Sequence, residues 1–185
     1  LMNNNFVEVV KNCAAAAEYY ESEKQYPHAN LMLERQAETL AWPMKKFDEA
    51  VEVYDELLNA PWNAQLQSGA VTLLQFSANK FIFFRSLCAL AALKENFEME
   101  VPTICQHMKD LDLRKGNNFS KSREYDLIMA LGKSMIDKNT KLFATSLKKY
   151  YQVANVDHWM QKILLIVRQN IEIAEKGGAL GDDLT

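Results

Sequence analysis

The chain has 185 residues, 49% of them hydrophobic and 24% charged, with a formal net charge of −3. That apolar content is too high and that charge too small for a disordered segment, and a chain of this length buries roughly 70% of its unfolded surface. Six glycines and four prolines are too few turn-formers for a many-stranded sandwich or barrel, and the mildly acidic balance gives no global attraction to nucleic acid.

Apolar residues recur at helical spacing in almost every segment. The first stripe covers residues 6–20 through Phe6, Val9, Val10, Cys13, Ala17 and Tyr20, with Asn4 or Asn5 placed to cap it. A second covers residues 29–42 through Leu33, Ala37 and Leu40, and Pro43 stops it. The third, over residues 47–58, is the cleanest: Phe47, Ala50, Val51, Tyr54, Leu57 and Leu58 share one side. A long fourth helix is expected over residues 66–93. Its most apolar part, residues 81–93, is too short to span a bilayer and is interrupted by Arg85 and Ser86. The fifth covers residues 101–111, with Pro102 near its first turn.

Residues 114–118, Arg-Lys-Gly-Asn-Asn, read as a loop. Ser122 then caps a sixth helix carrying Tyr125, Ile128, Leu131 and Met135. Asn139 or Thr140 opens a seventh with Phe143, Leu147, Tyr150 and Tyr151. Asp157 caps the eighth, whose stripe runs Trp159, Ile163, Val167 and Ile171, and Gly177-Gly178 ends it. Residues 179–185 are expected to form a flexible acidic tail.

Eight antiparallel helices on short connections form either a bundle or a solenoid, and internal repetition decides between them. Phe47, Ala50, Tyr54 and Leu57 follow the spacing of the second helix of a tetratricopeptide hairpin. There a small residue lets two helices approach while aromatics fill the flanking grooves. Pairing the second helix with the third, the fourth with the fifth and the sixth with the seventh gives units of about 35–45 residues. The first helix is then the back half of a repeat without its front half. With the start at Leu1 in place of Met, this leads us to expect a chain cut from something longer.

Catalytic and metal-binding patterns are missing. Cys13, Cys88 and Cys105 are too far apart for a disulfide framework or a zinc site, and they read as small buried hydrophobes in a reducing compartment. His28, His107 and His158 are scattered, with no Glu-x-x-His or His-Glu-x-x-His among them. Gly177-Gly178 follows a helix, the wrong polarity for phosphate binding. No catalytic, cofactor or metal residue is assigned, and the chain is read as not an enzyme. No signal peptide opens it, so a soluble, cytosolic protein is expected.

Binding features carry more signal. Lys45-Lys46, Arg114-Lys115 and Lys148-Lys149 are basic pairs that read first as solvated faces, and Arg123 stands where Glu124 can pair with it locally. The end, Gly181-Asp182-Asp183-Leu184-Thr185, sets an apolar residue among acids at a free terminus. That suits either inert disorder or docking into a partner's groove.

The segment Asp157-His158-Trp159-Met160, then Ile163-Leu164-Leu165, then the end Asp182-Asp183-Leu184-Thr185, resembles the carboxyl-terminal end of the soluble NSF attachment protein family. That family reads Leu-Asp-Gln-Trp, Met-Leu-Leu, and acids with a penultimate leucine. Ala17-Glu18-Tyr19-Tyr20, Ala29-Asn30, residues 47–57, Ser77-Ala78 with Phe83, Leu87-Cys88, and Ser122-Arg123-Glu124 correspond in the same order. The likeness covers essentially this whole chain but only the carboxyl-terminal part of the family's length.

The resemblance implies an all-α, right-handed α-solenoid of tetratricopeptide-like hairpins over residues 1–112, closed by a helical bundle over residues 113–178 and followed by the tail. It implies an adaptor that binds assembled SNARE four-helix complexes and recruits the AAA+ ATPase NSF, cytoplasmic and peripheral on membranes through the SNAREs. Arg123 matches a SNARE-facing basic residue; Lys80 and Arg35 lie beside Asn79 and Leu31, where the family carries lysines. Asp137, Asp182, Asp183 and Leu184 match the ATPase-facing side, while two further acids of that side are here Lys133 and Ile136. The family's amino-terminal membrane-contacting loop has no counterpart, which implies weak membrane binding by this chain alone. No cofactor and no nucleic acid is implied. A generic tetratricopeptide-like interaction scaffold is the alternative reading; a helical enzyme would need a convergent polar pocket or a metal.

Overall fold

Short connections between amphipathic segments force consecutive helices to fold back on one another. The computed structural model describes residues 2–62, 71–115 and 118–182. The helices are α1 (Met2–Ser22), α2 (Tyr26–Ala41), α3 (Phe47–Asn59), α4 (Val71–Ala92), α5 (Phe97–Lys115), α6 (Arg123–Ile136), α7 (Thr140–Tyr151) and α8 (His158–Asp182), with a 3-10 turn at Phe119–Lys121. The all-α expectation holds, and no strand occurs among the described residues. Two compact units, Leu1–Cys88 and Ala89–Thr185, divide the chain within α4.

In the first unit α1 packs on α2 and α2 on α3. Small residues at the contacts (Ala17, Ala29, Ala37 and Ala50, all buried) let the axes approach, as the spacing around Ala50 predicts. Tyr54 fills the groove beside them, its ring 6.4 Å from Phe81 and 6.3 Å from Phe84. Every residue from 81 to 88 is buried, Arg85 and Ser86 included. Arg85 is tolerated because its Nε and Nη2 lie 2.7 and 2.9 Å from the two carboxylate oxygens of Asp55 on α3. Ser86 returns its hydroxyl to the Ile82 carbonyl at 2.8 Å. The two interruptions of the apolar run are therefore both satisfied.

In the second unit α6 packs on α5, α7 and α8, and α8 also meets α7. Val101, Met108, Ile128, Leu131, Phe143 and Val167 form its centre. The buried Asp112 carboxylate accepts the Phe119 and Ser120 amides at 2.6 and 3.0 Å, which fastens the 3-10 turn to α5. Asn170 on α8 donates to the carbonyls of Ala91 and Leu93, at 3.1 and 2.7 Å, satisfying groups that the end of α4 leaves open.

The expected caps form where the side chain reaches back to its helix. Ser122, Asn139 and Asp157 accept the amides of Tyr125, Leu142 and Met160 at 3.1, 2.9 and 2.7 Å. Trp42 is extended (φ −150°, ψ 121°), as a residue ahead of proline must be. Several boundaries differ. Helix α1 starts at Met2, so Asn4 and Asn5 lie inside it. Helix α5 starts at Phe97, so Pro102 is interior; the Asn96 carbonyl takes the first amides, from Met99 and Glu100, and Glu98 and Glu100 favour the positive end of the helix dipole.

Gly177-Gly178 does not stop α8, which continues to Asp182. Gly177 lacks the positive φ of a helix-ending glycine, and a helical glycine costs only about 1 kcal/mol relative to alanine. The expected loop begins later than proposed, after Lys115; Gly116 and Asn117 lie outside the described residues, as do Asp183, Leu184 and Thr185.

Two substitutions test this packing. A Cβ on Gly132 of α6 would sit 2.8 Å from Cγ1 of Val101 on α5. Alanine there gains helix propensity of about 1 kcal/mol but meets a stiff β-branched neighbour, at a cost of about 1–3 kcal/mol. Gly132→Ala is expected to lower the urea midpoint. Gly132→Ala with Val101→Ala should then lose less stability than the two single changes summed; strict additivity would refute the close approach. Asp55→Ala removes the carboxylate from the buried Arg85 and is expected to cost about 3 kcal/mol, against under about 0.5 kcal/mol for the exposed Asp48→Ala.

Candidate partner-binding surface

The capped start of α6 places Arg123 as the first helical residue, exposed. Its Nε lies 3.0 Å from a Glu124 carboxylate oxygen, and its Nη1 donates to the Val153 carbonyl. The same Glu124 oxygen accepts the Tyr150 hydroxyl at 3.1 Å. The three side chains thus tie the start of α6 to the end of α7 and the turn beyond it. Burial, then the Glu124 carboxylate, pushes the Tyr150 hydroxyl well above the ordinary tyrosine range. Beside this network lies a cleft of about 200 Å³ between α6 and α7, with Leu127, Ala130, Tyr150 and Val153 at its walls. Arg123, Asp126 and Lys149 bring charge to it.

The other two cations proposed for the same partner belong to the first unit. Lys80 on α4 pairs with Glu34 on α2, and its ammonium stands 5.5 Å from the centre of the Phe84 ring. Arg35 follows Glu34, is exposed, and forms no ion pair among the described residues. Leu31, one turn earlier on α2, is exposed, while Asn79 is half-buried. Lys80 is thus joined to the α2 turn that carries Leu31 and Arg35, with part of its charge met by Glu34.

Asp137 is exposed at the carboxyl end of α6, its amide donating to the Lys133 carbonyl at 2.9 Å. A carboxylate there opposes the helix dipole, so helix stability does not account for it. Lys133 is exposed nearby and Ile136 half-buried. Asp182 is the last residue of α8, and Asp183 and Leu184 fall outside the described residues.

Cys88 and Cys105 are buried, as expected, whereas Cys13 is only half-buried; burial pushes all three thiols up, away from the reactive thiolate. Among the described residues no group of His, Cys, Asp and Glu is arranged to hold a metal. Sequence reasoning missed a hollow of about 110 Å³ in the first unit, where Glu18 and Glu21 of α1 meet Glu56 of α3 over Leu33 and Trp62. The pair three residues apart on α1 was readable; the third acid arrives only through packing of α3.

Burial first, then Glu21 and Glu18, raises the Glu56 carboxyl above its ordinary 4.5. A value raised by folding means that ionised Glu56 weighs against the folded state, and the loss sets in as pH rises past the ordinary value. Glu56→Gln is therefore expected to melt above the parent at neutral pH, with the difference closing as pH falls below 4.5. Equal melting temperatures at neutral pH would contradict the acidic cluster.

The model of the family "Soluble NSF attachment protein, SNAP" matches residues 2–172. A probable vesicular-fusion protein sec17 homolog of Neurospora crassa is 25% identical over 171 residues, covering 92% of this chain and 53% of its own. The alpha-soluble NSF attachment protein of Mus musculus is 24% identical over 157 residues, 85% of this chain and 48% of its own. That of Vitis vinifera is 21% identical over 184 residues, 100% and 57% respectively. The chain spans about half the length of the curated relatives it matches. A family match that begins in α1 and ends in α8 reaches every helix among the described residues, and the chain belongs to the soluble NSF attachment protein family.

Proposed function

We propose that this chain acts in vesicle fusion and intracellular transport as an adaptor, gripping assembled SNARE four-helix bundles and recruiting and stimulating an NSF-type AAA+ ATPase that unwinds them. The observation that carries the reading is the family match across residues 2–172. In this reading Arg123, Lys80 and Arg35 face the acidic SNARE rod, and Asp137, Asp182, Asp183 and Leu184 face the ATPase. Exposed Arg35, in no ion pair among the described residues, supports the first assignment, and Asp137, at a helix end it does not stabilise, supports the second.

The hairpins of residues 1–112 and the bundle of residues 113–178 divide this work, with the tail as the ATPase contact. The adaptor breaks no bond itself. Complementary charge gives fast, salt-sensitive association, and several adaptors on one rod add avidity. No helix among the described residues is long and apolar enough to cross a membrane. The protein is cytoplasmic in this reading and reaches membranes through the SNAREs.

A pull-down tests it. Preassembled SNARE bundle is immobilised, the chain is added, and retention of NSF is measured with ATP hydrolysis blocked, at low and moderate salt. Chain-dependent, salt-sensitive retention is expected. Failure to bind either partner, even with the longer relatives' amino-terminal half restored, would leave a generic helical scaffold. Within the same assay, Leu184→Ala is expected to keep SNARE binding and to lose most ATPase stimulation. Equal stimulation by mutant and parent would remove Leu184 from the ATPase contact.

A further inference from the structure

We propose that the α6–α7 cleft seats an apolar side chain of an acidic partner helix, and that Lys149 supplies the cation that meets the partner's carboxylate. The inference rests on the adaptor reading and assigns a seat and a charge within it.

The cleft has an apolar lining and room for one large side chain: Leu127 and Tyr150 are buried, whereas Val153 is 58% exposed at its edge. Such a hollow gains from filling, because its walls are already ordered and lose water when covered. Its charge is less obvious from the sequence than from the contacts. Arg123 is the cation the sequence singles out, yet its guanidinium is matched by Glu124 and engaged by the Val153 carbonyl. That pair contributes little net field. Lys149 lines the same cleft, is exposed, and makes no ion pair among the described residues. Lys148 beside it is also exposed and unpaired among them. Both stand in the last turn of α7, where a cation suits the helix dipole.

The remaining charge in the cleft is Asp126, exposed and likewise in no ion pair among the described residues. An acidic partner is therefore attracted by Lys149 and repelled by Asp126. A side chain that merely holds the fold together would not give effects of opposite sign.

The test measures affinity for the preassembled SNARE bundle at two salt concentrations, using the full chain. Lys149→Ala is expected to weaken binding by about fivefold at low salt and to flatten the salt dependence, whereas Asp126→Asn tightens it by about twofold. Val153→Ser should weaken binding at both salt concentrations, since filling an apolar seat is screened little. Lys94→Ala, the same charge change in the exposed connection after α4, is the control and should stay within about twofold of the parent. Lys149→Ala indistinguishable from Lys94→Ala would overturn the inference while leaving the adaptor reading intact. Effects of reversed sign would assign the cleft to a basic partner and overturn it equally. A parent chain that binds no bundle, even with the longer relatives' amino-terminal half restored, would overturn the adaptor reading and this inference together. Thermal melts of each variant separate lost contact from lost fold.

Discussion

A helix buried along eight consecutive residues leaves no room for an unmatched charge, and α4 carries a cation among them, Arg85. The fork of Arg85 closing on the carboxylate of Asp55 is the condition on which the first unit depends. A buried pair of this kind adds little net stability compared with well-packed apolar residues, because desolvating both ions offsets their attraction. What it adds is discrimination. Sliding α4 by a turn, or rotating it, would leave a guanidinium in an apolar core. One register of α4 against α3 then stands apart from its competitors, and the ring contacts of Tyr54 with Phe81 and Phe84 follow from that register.

The second unit satisfies its buried polar groups with hydrogen bonds between side chain and backbone. Asp112 collects two amides of the 3-10 turn, and Asn170 takes up two carbonyls at the end of α4. Where α6 must approach α5 most closely, Gly132 removes the side chain that would keep them apart. These devices fix the start of α6, and the start of α6 fixes Arg123. The network from Arg123 through Glu124 to Tyr150 is thus partly architecture: it holds two helices at the spacing that opens the cleft between them. Charge available to a partner passes to neighbours such as Lys149.

Three caps were legible in the sequence, at Ser122, Asn139 and Asp157, because an N-cap depends only on a side chain and an amide two or three residues away. The stripes of α2, α3 and α6 were legible for the same reason, since burial of one helical face repeats at short range. The stop at Gly177-Gly178 was misjudged: glycine weakens a helix without forbidding it, and only a left-handed backbone at that position would have ended α8. Pro102 was misjudged as a start signal because the Asn96 carbonyl and two glutamates open α5 one turn sooner.

The sequence by itself determined the all-α class, the order of the helices, most of their boundaries and, through collinear motifs, the resemblance that the family match bears out. All of these rest on interactions within a few residues or on the identity of residues in line. The tertiary structure alone decided which charges are spent and which are free: that Arg85 belongs to Asp55, that Lys80 is met by Glu34, that Arg123 also reaches the Val153 carbonyl, and that Glu56 joins Glu18 and Glu21. Most of these partners lie 30 or more residues apart in the chain, and an electrostatic interaction depends on distance in space, for which separation in sequence is no guide.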